Sequence, residues 1–355
     1  MFTPPRCPNL QCPMHKSPIP DFFTRQGTYH PKCRAIPVPR FSCRACRRGF
    51  SRQTFRADYY DHKPHLNAPL MRLLASGLGL RQSGRLLHMS LHCIELKFRK
   101  MAKVLRDLHT NLLDVFRQPF EFELDELVTF EGSRLTRPLT LPVLIEARSL
   151  LVVAAASAPI RPSGKLSKRR RAALEREEKL TERRKDESRE CLQKVFAVGA
   201  ACIAPGDRVL LRTDEKPLYV PLAKAAFAKH RLRHERYSGK LPRTTSNPIF
   251  RINFTAALAR DLNGRLRRRS WLASKFRRYL DLQLAVFMTY RNYTRRRVNR
   301  DKRTPAMKLG LLDRPLQHEQ LLGWRQDWGV LSIHPASDGS HSIAQVRAIR
   351  KGVSA

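Results

Sequence analysis

Apolar residues between positions 67 and 104 recur every three or four residues, which is the period of an amphipathic helix. A first helix is broken by Gly77 and Gly79, a short second helix ends near His88, and Ser90 can cap a third helix. The third helix has an apolar face formed by Ile94, Phe98, Met101 and Val104. A short helix, a tight turn and a longer helix predict a helix-turn-helix, with a plain helical bundle as the alternative.

The pattern changes after residue 118, where apolar runs of strand length alternate with helical segments. FEFELDELVTFEGSR alternates as a strand, and TLPVLIEARSLLVVAAASAPI contains two further strands that meet near Arg148. A charged helix, the strand VLLRTDE, a helix from about Leu218, a strand around HRLRHERYS and long final helices follow. Three strands, helix, strand, helix, strand, helix is the order of a ribonuclease-H-like domain, a mixed β-sheet with flanking helices.

The net charge of the chain indicates the class of its binding partner. The 355 residues contain 69 Lys and Arg but only 30 Asp and Glu, a formal net charge of +39 that is spread along the whole chain. Such a field suits a polyanion, and DNA is the expected partner. Ribosomal proteins and proteins of anionic membranes can be equally basic, so charge selects the partner class and not the activity. No apolar stretch reaches the roughly 18 residues that a membrane span needs, so we expect a cytoplasmic, nucleoid-associated protein without a membrane partner.

Cysteine spacing predicts a metal site near the amino terminus. Four residues separate Cys7 from Cys12, and two separate Cys43 from Cys46. Two such knuckles about 30 residues apart match a zinc ribbon, in which four thiolates hold a structural Zn²⁺. The first spacing is looser than usual, and either His15 or Cys33 can replace one ligand. So short a segment needs the metal in order to fold.

Together these patterns predict a multidomain chain of the α+β or α/β class. A zinc ribbon occupies residues 1–56, and a helix-turn-helix DNA-binding domain occupies residues 62–110. A ribonuclease-H-like catalytic domain spans residues 118–300, with a charged helical insertion at 160–195. Residues 301–355 form a docked segment and a polar tail.

The strand order predicts that two aspartates lie close together. In a ribonuclease-H-like sheet the first and fourth strands are neighbours, which brings Asp125 of ELDE close to Asp214 of TDEKPLY. Two carboxylates suit Mg²⁺ or Mn²⁺ that also binds substrate phosphate oxygens. Such ions stabilise the attacking and leaving oxygens during cleavage or transfer of a phosphodiester. Structural acids paired with arginine are the alternative.

At these residues the chain resembles the transposases of the insertion-sequence-one family. The matching motifs are ELDE (123–126), TDEKPLY (213–219) and IFRIN…LARDLNGRLRRRSWLASK…YRNY, and the likeness extends over about residues 5–295, including the domain order. The resemblance implies a DDE-type enzyme that cleaves and joins DNA, with Asp125 and Asp214 as its first two acids. It also implies action as a multimer in a synaptic complex.

The third acid of that family, a Glu, is replaced here by Phe250, which cannot bind a metal. Asp261 shares the helical face of Phe250 but lies about 16 Å along the axis. Glu235 on the preceding strand is the alternative, and Asn253 can offer a neutral oxygen. Further acids, Glu126 and Glu215, are adjacent to the two aspartates and therefore point to the other face of a strand. With no replacement, the chain is a degenerate transposase that acts as a DNA-binding repressor or architectural factor.

Basic clusters give the candidate DNA contacts. On the third helix of the helix-turn-helix they are Lys97, Arg99, Lys100 and Lys103, and in GRLRRRSW they are Arg267, Arg268 and Arg269. Three aromatic residues occur near the second cluster at helical spacing, and we expect them in the core rather than as platforms for stacked bases; they are Trp271, Tyr290 and Tyr293.

Overall fold

The computed structural model describes residues 2–31, 36–56, 58–113, 120–162, 164–267 and 271–324. The suggested ligand Cys33, the candidate DNA contacts Arg268 and Arg269, and the tail from residue 325 lie outside these ranges. The architecture is mixed α and β, with a small sheet near the amino terminus, a helical segment and a large mixed sheet flanked by helices. Within the described ranges, no helix has the length and apolar character to cross a bilayer.

The small sheet is antiparallel, in the order β1-β2-β3, and follows a single helical turn. Its core consists of phenylalanines, of which Phe41 and Phe50 pack 5.7 Å apart between ring centres. Few other apolar side chains support this sheet, so its core is small. The elements are α1 (Pro13–Lys16), β1 (Phe23–Tyr29), β2 (Val38–Cys43) and β3 (Gly49–Ser51).

Three helices follow, and two of them meet at a tight turn. They are α2 (Asn67–Ala75), α3 (Leu80–Leu86) and α4 (Leu91–Leu113). His88 adopts a positive φ of 49° in the turn between α3 and α4. A side chain at Gly84 of α3 would meet the backbone oxygen of Met89 at 2.9 Å, so the turn packs closely against the preceding helix.

The large sheet has the order β6-β5-β4-β8-β9, and β7 pairs with β5. The β4 strand is antiparallel to β5 and parallel to β8, which is parallel to β9. The first strand of this sheet along the chain therefore lies beside the fourth long one. The strands are β4 (Phe120–Phe130), β5 (Pro138–Glu146), β6 (Leu151–Ala155), β7 (Ala158–Pro159), β8 (Arg208–Asp214) and β9 (Arg231–Tyr237).

Helices cover both faces of the large sheet and make two apolar clusters. One cluster joins α4, α6 and α7 to one face, and the other joins α8 and α9 to the opposite face. The charged segment forms α5 and only then turns into the buried α6. These helices are α5 (Lys168–Leu180), α6 (Ser188–Ala201), α7 (Tyr219–Ala226), α8 (Phe250–Leu262), α9 (Arg277–Thr289), α10 (Pro305–Lys308) and α11 (His318–Gly323).

Candidate metal centres and nucleic-acid surface

The four predicted cysteines converge at one end of the small sheet. The Sγ atoms of Cys7, Cys12, Cys43 and Cys46 all lie within 4.8 Å of one another. Two of the pairs are 3.6 Å and 3.8 Å apart, namely Cys7 with Cys46 and Cys12 with Cys43. Four thiolates at about 2.3 Å around a tetrahedral zinc ion are separated by about 3.8 Å, so the cluster fits Zn²⁺.

Local structure fixes these thiols. The backbone N–H of Cys7 donates to the oxygen of Met14, and that of Cys43 donates to the oxygen of Arg48. Burial raises the pKa of the Cys7 thiol, whereas a backbone hydrogen bond from Arg48 lowers the pKa of Cys46 to about 7. His15 stands outside the cluster, and its Nδ1 lies 2.7 Å from the oxygen of Cys7. It is placed to support a ligand rather than to be one.

The two predicted aspartates lie at the same level of neighbouring strands. Glu123 of β4 is opposite Arg212 of β8 in the parallel register. This pairing ends at Glu123 and Arg212, and Asp125 and Asp214 are each two residues further along their strands. Neighbouring strands are about 4.8 Å apart, and the pKa of Asp125 is raised by burial and also by the negative charge of Asp214, so the two carboxyl groups are close neighbours.

Both aspartates face α8. Phe122 and Leu124 of β4 belong to the cluster on the α6 and α7 face. Glu123 points the other way, because its carboxylate accepts the backbone N–H of Ile252 in α8 at 2.8 Å. Asp125 follows Glu123 by two residues and so shares its face. On β8, Leu211 joins the first cluster, which leaves Asp214 on the α8 side as well.

Burial and neighbouring groups shift the pKa of Asp125. Burial raises the pKa of Asp125, the backbone N–H of Glu126 lowers it, and the negative charge of Asp214 raises it further. Arg243, in the loop before α8, has a smaller lowering effect. The Asp214 carboxylate accepts the backbone N–H of Lys216 at 3.0 Å. Each carboxylate therefore keeps oxygen lone pairs for a metal ion.

Glu126 lies on the opposite face of β4 and is held by other side chains. Its carboxylate accepts from Lys216 Nζ at 2.6 Å and from the Tyr219 hydroxyl at 2.9 Å, and the Thr140 hydroxyl also donates to it. Glu215 is exposed beside Asp214. Neither position places a third carboxylate between the two aspartates.

Asp261 does not complete the site. It lies nine residues beyond Ile252 in α8, which is about two and a half turns. Ile252 is fully buried against the sheet, so Asp261 points to the opposite side of the helix, where it is exposed. The backbone oxygen of Asp261 accepts from Arg267 at 2.9 Å, close to Gly77 of the helical segment. In this arrangement the Asp261 side chain points away from the face that carries Asp125, and its role as third ligand stays a prediction.

Glu235, the alternative third acid, lies on β9 two residues before Tyr237, which is the residue opposite Asp214. It is opposite Arg212, whose Nε donates to it at 3.1 Å, and it also pairs with Arg233 at 2.7 Å. The Tyr237 hydroxyl donates to the same carboxylate at 2.9 Å. In the described residues, no third His, Cys, Asp or Glu forms a group within 4.8 Å with Asp125 and Asp214.

Sequence reasoning overlooked Glu123, which is fully buried on the face that carries Asp125. Burial raises its pKa, and the backbone N–H of Ile252 lowers it. Its carboxylate also pairs with Arg251 at 3.4 Å. Glu123 thus fixes the start of α8 against β4 instead of facing substrate. The alternation in ELDE gives the signal, since residues two apart share a face.

The comparisons with known proteins add little. No protein-family model matches this chain, and no curated protein matches it. Among solved structures, a chain of "Crystal structure of a pre-cleavage Mos1 transpososome" is similar, with 11% sequence identity and a TM-score of 0.21. The match covers 63% of this chain and 73% of that chain. A TM-score this low does not show that the two chains share a fold.

The predicted DNA contacts on α4 divide into two groups. Lys97 is buried and its Nζ lies 3.2 Å from the Asp61 carboxylate, so its charge stabilises the fold and does not reach DNA. Lys100 contacts the same carboxylate at 2.9 Å but stays partly exposed. Arg99 and Lys103 lie on the exposed side of α4. The positive charges of Arg99 and Lys103 are therefore accessible to a ligand.

Near the second basic cluster, one of the three aromatic residues differs from the prediction that all of them lie in the core. Arg267 is exposed. Tyr293 is fully buried and Tyr290 packs against the core, as expected. Trp271 is 94% exposed, so the expectation that it belongs to the core is wrong. It borders a groove rather than a helix interface.

Proposed function

We propose that this protein is a DDE-type DNA transposase that cleaves and joins DNA strands with Mg²⁺ or Mn²⁺. One observation carries the proposal: the parallel register of β4 with β8, continued by two residues, puts Asp125 level with Asp214, and the charge of Asp214 acts on Asp125. Carboxylates in this arrangement match what Mg²⁺ prefers, one or two protein oxygens plus substrate phosphates.

The sheet supports the same proposal. Its order, with β4 between β5 and β8 and with β5 antiparallel, is the order expected of a ribonuclease-H-like domain. In such a domain the first and fourth strands carry the catalytic acids. The helix α8, which begins beside Glu123, closes the face that holds both aspartates.

The roles of the residues follow from their positions. Asp125 and Asp214 would hold the Mg²⁺ or Mn²⁺, which would supply Lewis-acid activation of the attacking oxygen and stabilise the leaving oxygen. Arg243 brings a positive charge near this face and is placed to contact a phosphate. In the cleavage step water attacks the phosphorus and the P–O bond to the 3′-oxygen breaks, which releases a 3′-hydroxyl. In the joining step that 3′-hydroxyl attacks a phosphorus of the target strand and displaces the target's own 3′-oxygen.

The other segments supply recognition of DNA. We assign residues 1–56 to a zinc ribbon, residues 62–110 to a helix-turn-helix that reads element ends, and residues 118–300 to the catalytic domain. Among the described residues the exposed candidate phosphate contacts are Arg99, Lys103 and Arg267, and Lys100 is partly exposed. Arg268 and Arg269 stay candidates. Cleavage at two element ends requires a homo-oligomer in the synaptic complex.

Strand cleavage tests the proposal. The substrate is the DNA that flanks the gene, including any inverted repeats, with Mg²⁺ or Mn²⁺. Wild-type protein is expected to nick it, and Asp214→Asn is expected to lose cleavage while DNA binding remains. Asp261→Asn is the matched control, since its carboxylate points away, and it is expected to cleave at the wild-type rate. Cleavage by Asp214→Asn equal to that of wild type contradicts the proposal.

A second function has its own support. No third carboxylate joins Asp125 and Asp214 in the described residues, and Phe250 occupies the position of the family's Glu. This favours a catalytically degenerate transposase that binds DNA as a repressor or architectural factor. Sequence-specific binding of the flanking DNA, with no nicking by wild type in either metal, supports this second function over the first.

A further inference from the structure

A groove separates the helical segment from the loop that precedes α9. It has a volume of about 840 Å³ and is bounded by α3 and the start of α4 on one side and by residues 264–265 and 271–279 on the other. None of the proposed catalytic residues lines it. The groove is therefore a site of its own.

Close contacts hold the two walls together. A Cβ atom at Gly264 would lie 2.5 Å from the backbone oxygen of Gly77, and a Cβ atom at Gly79 would lie 2.5 Å from Leu272. The side chain of Gln283 in α9 donates to the backbone oxygen of Leu74 at 2.9 Å in a buried position. Glycine at these contacts lets the backbones approach, so the groove is a defined feature of the fold.

Exposed aromatic side chains line the groove. Trp271 is 94% exposed and Phe276 is 57% exposed. A large flat apolar surface left in water is unfavourable, and such residues often mark a binding site. The planar face of an indole ring suits another planar ring, and base stacking on tryptophan tolerates any sequence.

The same groove is cationic. Three guanidinium groups surround the ring of Tyr279, at 5.2 Å for Arg278, 5.4 Å for Arg265 and 5.8 Å for Arg99. Among the described lining residues, Glu95 is the single acid, against four basic side chains: Arg81, Arg85, Arg265 and Lys275. Arg99 donates to the Tyr279 hydroxyl at 3.1 Å and pairs with Glu95 at 4.0 Å. Arg278 is exposed beside the groove, so its guanidinium is accessible to an anion.

We propose that this groove binds an unpaired nucleotide of a DNA strand, with Trp271 stacked on the base and Arg278 bound to an adjacent phosphate. A base within a duplex hides both faces between its neighbours, so stacking on Trp271 requires a single-stranded or extruded base. Charge complementarity favours a nucleic-acid strand over an apolar peptide. The proposal does not depend on cleavage, since binding in the groove needs neither Asp125 nor Asp214.

Fluorescence anisotropy with the full-length protein, without added Mg²⁺, tests this inference. The probes are a labelled oligo-dT, an abasic strand of equal length and a duplex. Trp271→Ala is expected to weaken binding of oligo-dT about tenfold or more, and to leave binding of the abasic strand unchanged. Arg278→Ala is expected to weaken both strands and to reduce the salt slope by about 0.7. Tyr60→Ala removes an aromatic ring that is 80% exposed and lies outside the groove, and is the matched control.

Each outcome of this experiment either supports or overturns the inference. A selective effect of Trp271→Ala on oligo-dT, with Tyr60→Ala unchanged, supports the inference. Equal binding of oligo-dT by Trp271→Ala and wild type overturns it. An equal loss on the abasic strand also overturns it, because the indole would then contact the backbone and not a base. A soluble, folded Trp271→Phe variant with intermediate affinity guards against a folding defect as the cause.

Discussion

A bound metal ion should stabilise the fold through Asp125 and Asp214. The pKa of Asp125 is raised by burial and by the charge of Asp214. A divalent ion between them removes the repulsion and binds only the folded chain, since the unfolded chain separates the two residues. Mg²⁺ is therefore expected to raise the melting temperature of the wild-type protein.

The size of the effect follows from mass action. At a free Mg²⁺ concentration one hundred times the Kd, the stabilisation is about 2.7 kcal/mol. For a cooperative unit of about 200 residues, this corresponds to a rise in Tm of roughly 5–10 °C. Asp125→Asn removes a ligand and should reduce this rise to a small fraction of the wild-type value.

Without metal the same variant should be at least as stable as wild type at neutral pH. The pKa of Asp125 in the folded protein is above its ordinary value of 3.8, so ionisation of this carboxyl costs folding free energy. The cost is absent below 3.8 and fully present above the raised pKa. The stability advantage of Asp125→Asn should therefore disappear as the pH falls through that window.

Differential scanning fluorimetry across a Mg²⁺ and Mn²⁺ series, repeated at several pH values, measures both effects. The control is Asp261→Asn, whose exposed side chain lies on the far side of α8, and it should respond to metal as wild type does. An equal rise in Tm for Asp125→Asn and wild type refutes the reasoning.

Three further predictions concern the rest of the chain. Cys43→Ser should lose bound zinc in purified protein, measured by mass spectrometry, whereas Cys191→Ser, outside the cluster, should keep it. Gly264→Ala should destabilise the protein by about 1–3 kcal/mol in urea unfolding, because its Cβ would meet a backbone oxygen at 2.5 Å. Lys97→Ala should lower stability by about 1–3 kcal/mol, because the buried Asp61 loses one partner but keeps Lys100, while Lys103→Ala should weaken DNA binding and leave stability unchanged.

Local spacing was enough to predict the two halves of the cysteine cluster, because one short loop joins Cys7 to Cys12 and another joins Cys43 to Cys46. The closest thiols come from different halves, and the zinc-ribbon pattern supplied that step. The neighbourhood of Asp125 and Asp214 needed more, because 88 residues separate them. There the strand order supplied the missing step, and the parallel pairing of β4 with β8 has the neighbour relation that this order requires.

The other predictions depended on contacts with residues far away in the sequence, which local patterns do not reveal. Lys97 follows Ile94 by three residues and precedes Met101 by four, so the helical period itself placed it on the buried face. The period did not reveal its partner, Asp61, which comes from a separate segment. The exposure of Trp271 likewise depends on how its loop packs against the helical segment, and this is not a property of local sequence.

Anomalous X-ray diffraction from crystals soaked in MnCl₂ tests the central claim most directly. A manganese peak bound by one oxygen of Asp125 and one of Asp214, each at about 2.1 Å, is the predicted result. The same crystals with no peak between these carboxylates at saturating Mn²⁺, and with both side chains paired to arginine instead, would contradict the account.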